Sequence, residues 1–369
     1  MQGCIKCGRR RCGLSYDHKR WHLDCVAIAG LMRSMTRENK LSWIRLAAVL
    51  IPVMFSVPLV LGFFGAAHPL FDSFAHFRMH LAVLMAVSAI PALVLGLWRE
   101  GLMAMVLALT ALGTVLVPSP APSAEAETAQ PEYKLMQLNL RYDNRHQADV
   151  LRLIAQEAPD VITLQEVSTA WRPKLKAIEA RYPYNLYCPN RSHIGGVAIL
   201  SRRPFALGTT PQCVDSLIGL ARIDFGGRSA IVTAIHLDWP WPYGQAGNVE
   251  TIAPYFEKLQ GPMIIAGDFN AVSWSQTLKT ISEASKTSSA EGLRPSWLVN
   301  GTFAHVARWV GLPIDHILVS DRIIQTRVET LQPAGSDHLP LLLRFSISGV
   351  DDNSGPDQQT VLRQGNHIF

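Results

Sequence analysis

The sequence predicts a layered α/β domain carried behind three membrane-spanning helices. Three observations predict it. Five apolar runs between residues 134 and 346 each end in a polar side chain able to bind or move charge. Ahead of them stand three long apolar stretches almost free of charge. Between the two regions lies a Pro-, Ala-, Ser- and Glu-rich segment with few bulky side chains.

The apolar stretches are Leu46–Ala67, 22 residues without a charge, Met79–Trp98, broken only by His80, Ser88 and Pro91, and the charge-free Gly101–Val117. A spanning helix needs ~20 apolar residues. A buried hairpin has no need of such uncharged lengths, and a removable signal peptide does not come as three successive spans. Residues 43–118 are therefore read as three transmembrane helices. Arg33, Arg37, Lys40 and Arg45 precede the first, and Arg99 lies in the turn Trp98–Gly101 between the second and third. The loop after the first carries only Arg78, and Pro118–Glu132 has three Glu and no Lys or Arg. The positive-inside bias puts the N-terminus in the cytoplasm. An odd number of spans then puts the following domain on the other side.

Residues 1–42 form a basic cytoplasmic segment. Cys4, Cys7, Cys12 and Cys25 with His18 and His22 imitate a zinc knuckle, but only the first pair has ligand-like spacing. Met32 and Met35 precede a natural-looking start, so residues 1–34 also read as an upstream mis-start. These 34 residues hold seven Lys/Arg against two Asp, an excess equal to the net charge of +5 for the whole chain. The remainder is neutral, and the basic pI is no argument for nucleic-acid binding. Residues 119–132 read as an extended tether, 133–349 as one domain large enough for a real core, and 350–369 as a disordered polar tail. Cys188 and Cys213 lie in the domain, either as a disulfide or as two free thiols.

Within the domain, Lys134–Leu140 alternates as a strand and carries Asn139. Val161–Leu164 runs into Gln165-Glu166, Gly196–Ser201 follows, and Ala230–Ile235 ends in His236. Met263–Ala266 leads to Gly267-Asp268-Phe269-Asn270. Asp315-His316 precedes Ile317–Val319, and Ser336-Asp337-His338 precedes Leu339–Leu343. Amphipathic stretches at His146–Ala158, Trp171–Arg181 and Ala246–Leu259 supply helices. Alone, each polar group is an ordinary turn or strand end. Together, strand termini converging on one sheet edge would assemble carboxylates, amides and imidazoles suited to a hard divalent cation and an acid/base pair.

This ordered set, with Thr302-Phe303 upstream of Asp315, resembles the endonuclease/exonuclease/phosphatase superfamily, in a membrane-anchored bacterial form. The resemblance implies a DNase-like four-layer α/β/β/α sandwich and metal-dependent hydrolysis of phosphate esters. It implies Glu166, Asn139 and Asp337 as the shell of a Mg²⁺ (or Mn²⁺) ion. His338 is then a general base or water-orienting group held by Asp315, and Asp268 positions or deprotonates the attacking water. Asn270 and His236 donate to the phosphoryl oxygens. One departure stands out. Between Arg181 and Ser201 there is no Asp or Glu to pair with His236, so backbone or water is expected to orient it.

The expected partners are a phosphate-ester substrate, either nucleic acid or a phospholipid head group, and the lipid bilayer; no protein partner is evident. The first reading is an endonuclease-like phosphodiesterase on the bacterial inner membrane, with its catalytic domain on the non-cytoplasmic side. The alternatives are a phospholipid or phosphoinositide phosphoesterase, a non-catalytic binding module on a membrane anchor, and a domain regulating a transporter or sensor. The aromatic run Trp239-Pro240-Trp241-Pro242-Tyr243 is expected to pack on the domain, with a stacking platform or lipid-facing rim as the rival.

Overall fold

The computed structural model describes residues 37–116, 131–190, 192–290, 295–298 and 311–348. The zinc-knuckle imitation, most of the tether, Thr302-Phe303 and the polar tail lie outside the described residues.

Among the described residues, twelve strands form two six-stranded sheets. They are β1 (Tyr133–Asn139), β2 (Val161–Val167), β3 (Tyr184–Cys188), β4 (Gly196–Ser201), β5 (Gln212–Val214), β6 (Ile218–Asp224), β7 (Ser229–His236), β8 (Met263–Asp268), β9 (Ser288–Ser289), β10 (Asp315–Val319), β11 (Ile323–Thr330) and β12 (Leu341–Ile347). The first sheet has the order β11-β12-β1-β2-β4-β3 and the second β5-β6-β7-β8-β10-β9. Each contains one parallel pair, β1/β2 and β7/β8. A parallel pair needs a crossover long enough for a helix. The crossovers are α5 (Gln147–Glu157) and α7 (Gln245–Phe256), and α6 (Arg172–Lys176) and α8 (Gln276–Ser285) complete the helices of this domain.

Alternation along the strands sets the layers. Leu135, Val161, Val197, Val232, Ile264 and Leu343 meet between the sheets. Met136, Leu138 and Ile162 face away, onto Val150 and Ile154 of α5 and Leu175 of α6. Ile231 and Ile265 face the other way, onto Ile252 and Phe256 of α7 and Leu278 and Ile281 of α8. The succession helix, sheet, sheet, helix follows from these three cores. The amphipathic stretches become helices of nearly the expected length, except that Trp171–Arg181 keeps helix only over Arg172–Lys176.

Cys188 and Cys213 are joined by a disulfide. It links β3, an edge strand of the first sheet, to β5, an edge strand of the second. Closing a loop of this length stabilises by about 3 kcal/mol.

The apolar N-terminal region folds as α1 (Arg37–Leu61), α2 (Pro69–Ala75), α3 (Arg78–Val94) and α4 (Trp98–Leu116). Two helices, over Glu38–Leu61 and Trp98–Leu116, are long and apolar enough to cross a membrane. The count reaches three only if α2 and α3, bent by 64° at their junction, act as one span. The expected second span is thus shorter than Met79–Trp98. It stops at Val94, and the turn falls at Leu95–Leu97, where Gly96 adopts a φ of +76°. Trp98 and Arg99 already belong to α4. Leu59, Ala82, Ala89, Ala104, Ala108 and Ala111 form the seam between the helices. Small residues of this kind let helix axes approach closely. Val57, Val87, Val94, Met103 and Val106 point outward and are exposed.

Candidate active site

The inter-sheet face of β1 reads Tyr133, Leu135, Gln137, Asn139, so period-two alternation carries apolar core into two amides at the carboxyl end. The same face of β7 ends in His236, that of β8 in Asp268, and that of β10 begins with Asp315. Register places His236 beside Asp268, and Asp268 beside Asp315. Paired strands lie about 4.8 Å apart, so these three side chains crowd one end of the slab. His338 enters from the loop before β12. Gly267 is required one residue earlier: a Cβ there would lie 2.0 Å from the Ile235 carbonyl oxygen on β7.

Hydrogen bonds join these groups across both sheets. His338 Nδ1 lies 2.8 Å from Asp315 Oδ2, and His338 Nε2 lies 3.7 Å from Asp268 Oδ2. Gln137 donates to Asp315 Oδ1 and to Gln165 Oε1, both at 2.9 Å. Asn139 donates to Asp268 Oδ2 at 2.9 Å and to Glu166 Oε1 at 3.0 Å. The Tyr142 backbone N–H donates to Glu166 Oε2. His236 Nε2 is 3.8 Å from Asp268 Oδ2. Asp268 is thus the carboxylate nearest His236, beyond hydrogen-bond distance, and the expected orientation by backbone or water is left as it stood. Asn270 donates its amide to the Leu237 carbonyl, while its buried Oδ1 has no protein partner.

Glu166 and Asn270 hold φ values of +55° and +47°. Left-handed backbone is uncommon for Glu. At Glu166 it coincides with a register shift between Leu164 and Val167 that turns the carboxylate toward Asn139. At Asn270 it follows the turn in which the Asn270 N–H donates to Asp268 Oδ1.

Burial controls the charges. Asp268 is raised well above the ordinary carboxylate range by burial, with Asp315 adding to the shift against the attraction of His338 and His236. For Asp315 burial acts upward too, but His338 and hydrogen bonds from His338, Ser296 and Gln137 hold it low. Burial alone would lower His338, yet the Asp315 and Asp268 carboxylates raise it. Such coupled groups titrate as a set. The directions differ within the set: Asp315 is held low, while the proton affinities of His338 and Asp268 are raised.

Among the described residues, Asp268, Asp315 and His338 bring ligand atoms within 4.8 Å of one another, a possible acidic metal site. Asn139 connects this trio to Glu166. Asp337 lies nearby, raising both His338 and Arg141 through its charge, and its backbone oxygen accepts from Leu298 N–H. All eight residues singled out from the sequence thus gather at one end of the sandwich. Sequence reading missed Gln137 as a partner of Asp315, although it shares a strand face with Asn139. It also missed Ser296, which accepts from the Asp315 N–H, and gave no role to Ser336 of the Ser336-Asp337-His338 block, which accepts from the His338 N–H and donates to the Asn139 carbonyl. Asp238 and Asn248, without a role in the sequence, close the next loop: the Asp238 N–H donates to Asn248 Oδ1. In that loop Trp239 and Trp241 are each 46% exposed and Tyr243 70%. The two indoles are thus partly covered, Trp239 through an edge contact with Trp297, and only Tyr243 projects for most of its surface.

A sequence model described as the endonuclease/exonuclease/phosphatase family matches residues 136–338, more than half of the chain. No curated protein sequence matches significantly. The crystal structure of an endonuclease/exonuclease/phosphatase from Bacteroides vulgatus is similar, at 17% identity and a TM-score of 0.50, covering 59% of this chain and 100% of that one. Sphingomyelinase C from Streptomyces griseocarneus shares 17% identity at a TM-score of 0.42, with 58% and 99% covered. A 3′ phosphatase from Neisseria bound to a product DNA hairpin shares 19% at 0.44, with 58% and 99% covered. At 17% identity the likeness to the Bacteroides vulgatus structure shows the fold alone.

Proposed function

Because the chain belongs to the endonuclease/exonuclease/phosphatase family, whose members are metal-dependent phosphoesterases, we propose that it is a membrane-anchored phosphodiesterase using Mg²⁺ or Mn²⁺. The observation that carries this reading is the hydrogen-bonded series from Glu166 through Asn139 to Asp268, His338 and Asp315.

Glu166, Asn139 and Asp337 each carry a side-chain oxygen, the atom type that suits a hard divalent ion. Glu166, Asn139 and Asp337 would hold it, leaving the buried trio for proton chemistry, since His338 Nδ1 is already engaged by Asp315. When bound, the ion stabilises charge on the phosphoryl oxygens. Asp268, with its raised proton affinity, takes a proton from the attacking water as the water oxygen bonds to phosphorus and the ester P–O bond breaks, and the departing oxygen takes its proton from solvent. Protonated His338, fixed by Asp315, donates from Nε2 to a phosphoryl oxygen as charge grows there. His236 and the second amide N–H of Asn270 complete the donor set. An intact trio favours catalysis over a non-catalytic binding module.

The exposed aliphatic faces of the N-terminal helices support a membrane anchor. A disulfide in the catalytic domain supports an oxidising, non-cytoplasmic compartment; in a bacterium this is the outer face of the inner membrane. The endonuclease-like reading draws on aromatic rings able to stack bases. A specific observation favours a phospholipid or phosphoinositide head group instead. Trp239, Trp241 and Tyr243 are exposed, and the Trp241 carbonyl accepts from Ser73 in the segment joining two apolar helices. Trp and Tyr in such a place suit a membrane interface.

The test is turnover by the full chain in lipid nanodiscs, with Mg²⁺, Mn²⁺ or EDTA, against plasmid DNA, RNA and labelled phospholipid or phosphoinositide vesicles. Metal-dependent cleavage that disappears in His338→Ala is expected, and the preferred substrate separates the two classes. Absence of metal-dependent cleavage on all of them would sink the assignment.

A further inference from the structure

The segment between the first two apolar helices reaches into the site described above. Asp72, in α2, is buried. Its Oδ1 accepts from the Gln276 N–H at 2.6 Å and its Oδ2 from the Thr277 N–H at 3.1 Å. These are the first two amides of α8, groups that no residue within the helix can satisfy. Ser275 caps the next available amide, that of Leu278. The N-terminus of α8 is thus completed by a carboxylate some 200 residues earlier in the chain, placed where the helix dipole favours negative charge.

His76 is also buried. Its Nδ1 lies 3.0 Å from the Asp72 carbonyl oxygen and its Nε2 3.1 Å from that of Asn270. The Asn270 carbonyl receives Gln245 Nε2 as well, at 2.7 Å. Trp274 Nε1 donates to the Ala75 carbonyl at 2.7 Å. These contacts all fall on one stretch, Asn270–Thr277, which begins at the left-handed Asn270 of the active site. A buried carboxylate that accepts two amides is a fixed joint and not a passing surface contact, because removing either partner leaves buried polar groups unpaired.

We infer that α2 and its C-terminal His76 are a working part of the active site, with Asp72 and His76 as positioning residues that hold the Asn270–Thr277 turn. The inference rests on the proposed chemistry for its catalytic consequence, though not for the joint itself. The segment precedes α3 and α4, and the catalytic domain follows them. Docking therefore requires those two helices to cross the bilayer an even number of times. They act as two spans, with the 17-residue α3 crossing alone at the lower limit of spanning length while α2 stays outside the bilayer, or as none, and not as one. The anchor and the catalytic domain are then a single catalytic unit whose orientation to the bilayer is fixed by hydrogen bonds.

The test uses the full-length protein in nanodiscs, as wild type, Asp72→Ala, Asp72→Asn, His76→Ala and His76→Gln. The expected result is a kcat 10- to 100-fold lower in the two alanine variants with KM little changed, since small misplacements of catalytic groups act at this scale. His76→Gln, which keeps an N–H donor, recovers most of the loss. Hydrogen exchange at the Gln276 and Thr277 amides rises at least tenfold in Asp72→Ala, and by less in the isosteric Asp72→Asn, while β8 stays protected. Wild-type kcat in both alanine variants overturns the positioning role. Unchanged exchange at Gln276 and Thr277 overturns the joint, and that reading stands apart from turnover, so it decides the docking even if every tested substrate is left uncleaved.

Discussion

Asp268 and Asp315 sit opposite one another on paired strands and are 1% and 0% exposed, whereas Glu166 and Asp337 sit on a strand irregularity and in a loop and keep contact with solvent. The first pair is positioned by sheet register, which cannot shift without turning every neighbouring side chain to the other face. The second is positioned by local backbone, including a Glu in the left-handed region. Under the proposed function the two arrangements suit two tasks. Proton transfer needs dry groups with displaced proton affinities. Holding a hydrated ion needs reachable oxygens that still carry water.

The largest expected effect tests the buried half. Asp268→Asn should lower kcat by about 10³-fold or more, in line with the loss of a positioned base. Wild-type kcat in this variant would break the contrast.

The next effect comes from the opposite face of β10, the strand that begins with Asp315. His316, adjacent to Asp315, points toward Phe269, and its Nε2 lies 2.7 Å from the Ala271 carbonyl oxygen. Burial pushes its imidazole down to about 4. Between about 4 and the ordinary value of 6.5 the unfolded chain binds a proton that the native protein refuses. Stability is therefore complete above pH 6.5 and falls as pH drops through that window, by on the order of 3 kcal/mol. Urea unfolding from pH 7 to pH 4 measures it, and His316→Phe should flatten the slope.

For the exposed half, Glu166→Gln should weaken the ion by about 10- to 100-fold, with activity recovering as Mg²⁺ or Mn²⁺ is raised. Isothermal titration with either ion checks it, and no recovery at saturating metal would move Glu166 from ion holding to the chemistry. The smallest effect joins the halves. Gln137→Ala leaves Asp315 Oδ1 without its donor and should cost about 1–2 kcal/mol, read as a lower melting temperature with KM unchanged.

The same contrast decides what the sequence could disclose. Asn139, His236, Asp268 and Asp315 were legible because they continue the alternation of strands whose apolar members are plain. Gln137 obeys that rule too, but a polar residue inside a strand carries no sign of its partner. Strands β3, β5, β6 and β11 left no distinct trace in the apolar pattern. Asp72 and His76 gave no signal, since capping at α8 is a matter of three-dimensional proximity between segments far apart in the chain. The break at Leu95–Leu97 was misplaced by a few residues because Gly96, and not the charged Arg99, ends the helix.

The Cys188–Cys213 bond has a consequence for solubility. β3 and β5 are both outermost strands, each with one row of backbone donors and acceptors open to pairing with another chain. Tyr184–Cys188 has the aromatic, uncharged composition that makes such an edge adhesive. Tied together across the sandwich, the two edges cannot splay apart to expose the apolar slab behind them. Once reduced, the protein presents two free edges on the same side of the molecule, so material produced in a reducing compartment should be lost first to fibrous or amorphous self-association rather than to unfolding of the active-site end.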